Sequence, residues 1–476
     1  MTKHAEEKTV KHSDIGLAGL VETGKKMASG ELTPVAVTEA MLERITELDP
    51  AIKSYVTIMA DQALTEARQA QTELASGKCR GPLHGVPLAV KDLCDITGMP
   101  TMAGIPGFKD RIASSDATVV KRLRAAGAVI LGKLQLTEGA LALHHPDVPP
   151  PVNPWGADLW CGASSSGSGA ATASGLCFGS LGSDTGGSIR FPCYTHHLVG
   201  LKPTWGRVSR HGVFPLSDTL DHVGPMTRRV EDAAAMLGAI AGEDPDDPTC
   251  LPGAAPDYLA TINDGVSGLR IGYDERYCTE TIDPAVTAAI KRGLDILKAR
   301  GAIIVPVTMP GQREAVDLWG VLCAAEAAIA HASTYPKRSE DYSAAYREFL
   351  ETGLTASGVD YARATIARHE FNGGLAKMFA SIDIFSGPIM SSPVPSTADF
   401  LALCEEPDGL TRLINYTSPQ DLSGSPAIIL PAGLDTAGAP VGFQLVGRHQ
   451  EEARLFQAGM AYQADAEWPT RPPLAV

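Results

Sequence analysis

The 476-residue sequence predicts an α/β protein, because stretches with helical periodicity alternate with short apolar runs bounded by glycine and proline. Residues 34–76 carry apolar stripes that alternate with charged residues, which is typical of amphipathic helices. Residues 81–93, GPLHGVPLAVKDL, predict a short buried strand. Residues 118–133, TVVKRLRAAGAVILGK, then predict a helix, a glycine that ends it, and a second strand.

The second half of the chain continues this alternation. Five further apolar runs predict strands, at residues 269–274, 302–307, 382–388, 426–433 and 440–447. Residues 312–378 between them are helical in pattern, and we expect this insertion to pack beside the sheet and form one wall of a pocket. We treat residues 1–476 as one domain, with residues 1–75 as an N-terminal helical segment. Residues 144–156 hold five prolines, which predict a stiff extended loop.

The composition excludes several classes of protein. Hydrophobic residues make up 44% and charged residues 20%, as in ordinary soluble enzymes. The net charge of -15 argues against a nucleic-acid partner. The nine cysteines form no CxxC pair, so we expect neither a disulfide framework nor a metal site, and no other cofactor. Without a signal peptide or a membrane-spanning run, the sequence predicts a cytoplasmic monomer or homodimer that has no membrane partner.

A cluster of serines and glycines carries the strongest chemical signal. In SDTGGSIRFP, residues 183–192, Ser188 follows two glycines and precedes residues that form helices poorly. The upstream stretch 161–182, CGASSSGSGAATASGLCFGSLG, consists almost wholly of small residues. A turn hydroxyl is the plain alternative for Ser188. A phosphate-binding loop is disfavoured because GxxxxGK[ST] does not occur, and GGSIR lacks the second glycine of a GxSxG elbow.

A serine nucleophile needs a group that takes its proton. The histidine pairs at 144–145 and 196–197 leave a histidine-based triad open. Lys91 is the other candidate, because GVPLAVK places it at the end of an apolar run. Burial can lower the pKa of a lysine by several units, which would leave a neutral amine. A merely solvated lysine at the end of a strand is the plain alternative.

Taken together, these segments resemble the amidase signature family over residues 30–465. The motifs that carry the resemblance are GVPLAVKD (85–92), GASSSGSGAATA (162–173), GSDTGGSIRFP (182–192), GLKPTWGRVSRHG (200–212) and PAIILPAGL with APVGFQLVG (426–447). The resemblance implies a central twisted mixed β-sheet flanked by many helices. It also implies a Ser, cis-Ser and Lys triad, which carries onto Ser188 as nucleophile, Ser164 as cis-serine and Lys91 as base.

Further site residues follow from the resemblance. Backbone N–H groups around the glycine pair would form the oxyanion hole, at Thr185, Gly186, Gly187 and Ser188. We expect supporting roles for three neighbours: Asp184 and Arg190 pair to fix the loop, and Ser165, with Ser166, hydrogen-bonds in the cis-serine turn. Trp155 and Trp319 are candidates for the acyl pocket, with core packing as the alternative. Two positions depart from the common pattern, Ala163 for glycine and Ser183 for threonine.

The resemblance leaves two activities to weigh. The first is a free amidase that acts on small linear amides, and through the same acyl-enzyme also on anilides, carbamates or esters. The second is the glutamine-hydrolysing A subunit of an aminoacyl-tRNA amidotransferase, which holds the glutamine ammonium with an acidic residue shortly before a YT.P segment. Residues 412–424, RLINYTSPQDLSG, place Ile414 there, and an uncharged side chain cannot hold a buried ammonium. The sequence therefore favours the free amidase. A binding protein without activity is disfavoured because the triad is complete.

Overall fold

A computed structural model describes residues 15–475, which fold around one sheet of eleven strands. The strands are β1 (Tyr55–Ile58), β2 (Pro87–Lys91), β3 (Val129–Leu134), β4 (Gly179–Asp184), β5 (Val199–Lys202), β6 (His222–Thr227), β7 (Arg270–Tyr273), β8 (Ile303–Pro306), β9 (Ile384–Gly387), β10 (Ala427–Leu434) and β11 (Pro440–Gly447). Their order across the sheet is β1-β3-β2-β4-β6-β5-β10-β11-β9-β7-β8.

The sheet is mixed, as the resemblance implies. Strands β3, β2 and β4 run parallel, and β1 lies antiparallel to β3 at one edge. From β4 through β6, β5, β10 and β11 to β9 every pairing is antiparallel. Strands β9, β7 and β8 are again parallel at the other edge. The α/β fold predicted from the alternation of helices and strands is therefore confirmed.

Helices surround this sheet. They are α1 (Leu20–Ala28), α2 (Pro34–Ile52), α3 (Ala60–Ala75), α4 (Thr118–Ala125), α5 (Ser166–Ala173), α6 (Arg190–Thr195), α7 (Val230–Ile240), α8 (Pro284–Ala299), α9 (Arg313–Asp317), α10 (Trp319–Ala330), α11 (Ala344–Thr355), α12 (Gly358–Phe379), α13 (Thr397–Glu405), α14 (Gly409–Ile414), α15 (Ser418–Ser423) and α16 (Glu452–Gln463). Short 3₁₀ turns occupy Pro106–Asp110, Glu138–Ala140, Ser339–Asp341 and Pro473–Ala475.

Local sequence explains where several helices begin. The Asp283 side chain accepts the N–H of Ala285 and precedes the proline that opens α8. Ser357 and Asp360 form a reciprocal capping box at the start of α12. Helices α9 to α12 occupy the region predicted as a helical insertion; its role as a pocket wall stays a prediction. No helix in residues 15–475 has the length and apolar character needed to cross a bilayer.

The N-terminal segment differs from its prediction as a helical unit. Within the part of residues 1–75 that the structure describes, Tyr55–Ile58 forms β1, which pairs with β3. Aromatic and β-branched residues at these four positions favour a strand. The first 14 residues of the segment lie outside the described residues.

The sheet brings the predicted catalytic segments together. Strand β2 ends at Lys91 and its parallel neighbour β4 ends at Asp184, so the carboxyl ends of both strands lie on the same side of the sheet. All residues of both strands are buried. Crevices beyond the carboxyl ends of parallel strands are common ligand sites in α/β proteins. The fold therefore places a lysine and a serine-rich loop at a position suited to chemistry.

Candidate active site

Two serine-bearing turns meet above β2 and β4. The peptide between Ala163 and Ser164 is cis, and α5 begins two residues later. The N–H of Ser165 donates to the carbonyl of Ser188 at 3.3 Å, which ties the cis turn to the loop after β4. Ser164 is fully buried, whereas Ser188 keeps 9% of its surface exposed. Ser188 is thus the more accessible of these two serines.

Lys91 lies beneath the two turns and contacts three serine hydroxyls. Its Nζ is 2.6 Å from Ser164 Oγ. Ser165 Oγ and Ser183 Oγ each lie 2.9 Å from the same nitrogen. The Ser165 hydroxyl itself donates to the carbonyl of Ser183 at 3.2 Å, so Ser165 Oγ accepts from Lys91. A neutral amine has two N–H bonds and one lone pair, and donation to Ser165 and Ser183 leaves the lone pair for the hydroxyl of Ser164.

The environment of Lys91 favours this neutral form. Burial lowers the pKa of Lys91 from 10.5 to about 7, although the carboxylates of Asp221 and Asp184 act in the opposite direction. Within residues 15–475, no carboxylate lies within ion-pair distance of Lys91 Nζ. Lys133 on neighbouring β3 is equally buried, but its Nζ lies 2.6 Å from Asp92 Oδ1. The two lysines therefore differ in kind: Lys133 is half of a buried ion pair, and Lys91 contacts only neutral hydroxyls.

The loop from Asp184 to Ser188 is organised by a single carboxylate. Asp184 Oδ1 accepts the N–H of Gly187 at 2.6 Å, and Oδ2 accepts the N–H of Ile189 at 3.0 Å. The N–H of Gly187 is therefore engaged, which removes it from the predicted oxyanion hole. The N–H groups of Thr185, Gly186 and Ser188 donate no hydrogen bond within the described part of the chain.

Three side chains from other elements hold the same loop from outside. Asp221 Oδ1 accepts the Thr185 hydroxyl at 2.6 Å. Trp319 Nε1, at the start of α10, donates to the carbonyl of Thr185 at 3.0 Å. The Thr417 hydroxyl donates to the carbonyl of Gly186 at 2.5 Å. Because a peptide is planar, fixing a carbonyl also fixes the following N–H on its opposite side. The Trp319 contact thereby sets the direction of the Gly186 N–H.

Arg190 anchors the loop to the far half of the sheet. Its guanidinium donates to Asp184 at 2.9 and 3.0 Å, as predicted, and also to Asp421 at 2.7 Å. Gln420 and Gln444 accept from the same group at 2.9 and 3.3 Å. Arg190, Asp184 and Asp421 are fully buried. A buried guanidinium with all its donors used fixes geometry, and removal of it would leave the buried carboxylate of Asp184 without a cation.

The two carboxylates on Arg190 have opposite electrostatic properties. Burial by itself would raise the pKa of Asp184, but Arg190 outweighs it and holds that pKa well below its usual range. Burial and the neighbouring charge of Asp184 raise the pKa of Asp421 well above the usual range. Asp184 thus balances the charge of Arg190, and Asp421 is favoured in its protonated form.

Known proteins resemble this chain in sequence over most of its length. A family model described as Amidase matches residues 36–456. The chain belongs to the amidase signature family. AmiD of Mycobacterium tuberculosis, a protein named as an amidase, is 44% identical to this chain over 445 residues, which cover 93% of both sequences.

Two further relatives of this amidase signature protein are named for different activities. The glutamyl-tRNA(Gln) amidotransferase of Chloroflexus aurantiacus has an A subunit that is 36% identical over 480 residues, covering 94% of this chain and 97% of that protein. The structure of native peptide amidase from Stenotrophomonas maltophilia superimposes with a TM-score of 0.82 at 30% identity, covering 96% of this chain and 98% of that one. Both families named as alternatives from the sequence are thus among the relatives.

Other candidate residues in this amidase signature protein lie apart from Lys91, Ser164 and Ser188. Trp155 Nε1 donates to the carbonyl of His196 at 2.8 Å, and the Trp155 ring packs against His197. These contacts give Trp155 a packing role. Ser166 Oγ lies 3.2 Å from Nε2 of His144 and not within the cis-serine turn. The structure therefore gives no histidine contact with Ser188 within the described residues.

Sequence reasoning assigned no role to several residues that hold the site. Ser183 contacts Lys91, and Asp221 and Thr417 contact the loop from Asp184 to Ser188. Ser183 directly precedes Asp184 in the segment 183–192, so the sequence alone could have indicated that it lies in the site. Thr417 lies 231 residues from the glycine whose carbonyl it holds, and nothing in a single sequence joins the two positions.

Proposed function

We propose that this protein hydrolyses carboxylic amides through an acyl-enzyme on Ser188, with Ser164 and Lys91 as the proton relay. The environment of Lys91 is the observation that carries the proposal. An amine that is only 1% exposed, that lies 2.6 Å from Ser164 Oγ and that has a pKa of about 7 is suited to accept a proton at neutral pH. Burial of an amine without a carboxylate partner is costly, and Lys91 differs from the other buried lysines in that its nitrogen contacts the serine hydroxyls of the proposed relay.

The proposed reaction begins with two proton transfers. Ser164 gives its hydroxyl proton to the lone pair of Lys91 and takes the proton of Ser188. Ser188 Oγ then forms a bond to the substrate carbonyl carbon, and the carbonyl π pair moves to oxygen. When the oxyanion collapses, the C–N bond breaks, and the nitrogen takes a proton from Ser164, which Lys91 replenishes. Water adds to the acyl-enzyme through the same relay, releases the acid and restores Ser188.

The free N–H groups of the nucleophile loop would stabilise the oxyanion. Thr185, Gly186 and Ser188 supply three such groups, and fixed donors of this kind contribute about 3 to 4 kcal/mol each to lowering a barrier. Because peptides, anilides, carbamates and esters pass through similar oxyanions, we include them as substrates of the same site. Small linear amides are the simplest class to test.

Loss of activity in two variants and labelling of one serine test this proposal. Ser188→Ala and Lys91→Ala should each remove turnover of an amide panel, whereas Ser76→Ala, at an exposed helix end, should retain it. A serine-directed fluorophosphonate should add one adduct to the wild-type protein, located by peptide mass at Ser188. Near-native turnover in Lys91→Ala at neutral pH would show that Lys91 is not the base.

The amidotransferase relative defines the competing activity. In this chain Ile414 is buried at the end of α14, three residues before Thr417, and so presents no carboxylate to a glutamine ammonium. We therefore expect little glutaminase activity from the isolated protein. Glutamine hydrolysis faster than hydrolysis of simple amides would support the amidotransferase function instead.

A further inference from the structure

A large cavity adjoins the catalytic turns on the side of the proline-rich loop. Its volume is about 810 Å³, within the range of roughly 300–1,000 Å³ that ligand sites occupy. Three segments form its walls: the loop residues 150–152, the stretch 157–162 that leads into the cis-serine turn, and the start of α13 at residues 396–401. Residues 142–144 and Lys53 complete the lining.

The cavity shares chain segments with the proposed triad. Gly162 lines it and is followed directly by the cis peptide before Ser164. The ring of Trp160, another lining residue, lies 5.8 Å from that of Phe191. Phe191 opens α6 with Arg190, three residues after Ser188. One wall of the cavity is therefore formed by the segment that leads directly into the cis-serine turn, and it packs against the helix that follows Ser188.

Two aromatic side chains form part of the inner surface. Trp160 and Phe400 stack with ring centroids 4.2 Å apart and an angle of 15°, and both are at least nine-tenths buried. Leu159, Leu401 and Val152 extend the apolar surface. Aromatic rings of this kind stabilise a bound ring by burial of its area and by offset or edge contacts.

The polar groups in the cavity do not provide a buried charge. Burial lowers the pKa of His144 to about 4, so the imidazole is neutral at pH 7. The Cys161 thiol donates to the carbonyl of Pro151, and burial raises its pKa above the usual range. Among the lining residues, the charged groups are Lys53 and Asp158, and both are exposed to solvent. A charged substituent in the inner part would lose its hydration without gaining an ion pair.

We propose that this cavity binds an uncharged aromatic group of the substrate, so that the preferred substrates are amides with an aryl group beside the scissile bond. This substrate class rests on the proposed amide hydrolysis at Ser188. The wild-type protein should hydrolyse 2-naphthylacetamide or acetanilide with a kcat/KM at least 10-fold above that of propionamide or N-methylacetamide. In 2-naphthylacetamide, compared with propionamide, the aryl group is on the acyl side of the amide. In acetanilide, compared with N-methylacetamide, the aryl group is on the amine side. The pair with the larger difference therefore shows which side of the substrate the cavity binds.

Filling the mouth of the cavity tests its role without disturbing the core. Leu401 lies on α13, lines the cavity and is 47% exposed. The larger side chain of Leu401→Trp can therefore extend into solvent at the mouth without disturbing the packed core. The ratio of kcat/KM for the preferred aryl substrate to that for its aliphatic partner should fall at least 10-fold. Leu354→Trp is the matched control, since Leu354 is a helical leucine, 54% exposed, outside this cavity. The control should leave the ratio unchanged.

The outcomes separate this inference from the proposed function. Amide hydrolysis without an aryl preference in the wild-type protein, or an aryl-to-aliphatic ratio unaffected by Leu401→Trp, would overturn the aromatic cavity and leave the Ser188 chemistry standing. Failure to hydrolyse any amide, together with no fluorophosphonate adduct on Ser188, would overturn the proposed function itself. An aryl preference that Leu401→Trp reduces and Leu354→Trp does not would support the inference.

Discussion

The pH dependence of turnover tests the central electrostatic feature, the lowered pKa of Lys91. With a pKa of about 7, about half of the Lys91 side chains are neutral at pH 7. At the ordinary value only roughly 1 in 3,000 would be neutral. Burial thereby supplies the reactive amine at a cost of about 5 kcal/mol for its protonated form. Because the proposed mechanism uses the neutral amine as the base, kcat/KM should rise with pH through about 7 and level off above it.

Asp221→Asn is the perturbation that identifies the titrating group. The Asp221 carboxylate raises the pKa of Lys91, so its removal should shift the midpoint of kcat/KM to lower pH. Lys202 requires a control, because burial also lowers its pKa to about 7. Lys202→Met should retain the wild-type midpoint, since Lys202 Nζ contacts the carbonyl of Pro203 and not the serines.

The measurement is kcat/KM for an uncharged amide from pH 5 to pH 9.5 in buffers of constant ionic strength. An uncharged substrate ensures that the profile reports the free enzyme. A flat profile would refute the lysine base. A midpoint that moves in Lys202→Met but not in Asp221→Asn would assign the titration to Lys202 and exclude Lys91 as the base.

Three further substitutions test how the loop is held. Trp319→Phe keeps an aromatic side chain but loses the N–H that donates to the Thr185 carbonyl, so kcat should fall about 10-fold with little change in KM. A boronic acid analogue of the acyl group should bind about 10-fold more weakly for the same reason. Gly187→Ala places a methyl group 2.4 Å from the Phe191 ring at a φ of 132°, so steady-state assays should show loss of most activity while circular dichroism stays native. Arg190→Met leaves the buried carboxylate of Asp184 without its cation, and urea unfolding should show a loss of about 3–5 kcal/mol; an unchanged midpoint would contradict the buried-charge argument.

The sequence predicts the strands that form clear apolar runs, but not β1, whose strand-favouring residues lie inside a segment predicted as helical. The runs at 269–274, 302–307, 382–388, 426–433 and 440–447 coincide with β7 to β11 to within two residues at either end. The central strand β4, GSLGSD, was not predicted, because glycine and serine have little preference for strands. Its small side chains nonetheless suit a position between two strands, where a fully buried backbone needs space for close packing.

In the candidate site, the residues in local motifs could be predicted from the sequence, whereas those that reach the site from distant parts of the chain could not. Lys91, Ser164 and Ser188 lie in dense motifs, so family resemblance identifies them from the sequence. The contacts that hold their loop come from Trp319 and Thr417, which are 134 and 231 residues away from the groups they bind. Such pairings depend on the order of strands in the sheet, which periodicity does not give. The engagement of the Gly187 N–H by Asp184 likewise required three-dimensional geometry.

The contact between Trp319 and the nucleophile loop has a consequence for how this protein can diversify. Helix α10 belongs to the inserted helical layer, yet its first residue is hydrogen-bonded to the segment that presents Ser188. Replacements that reshape this layer for a new substrate therefore also adjust the alignment of the reaction centre. Changes in this layer are therefore expected to alter the turnover rate, whereas changes around α13, which lines the proposed aromatic cavity, are expected to alter selectivity and leave the Trp319 contact in place.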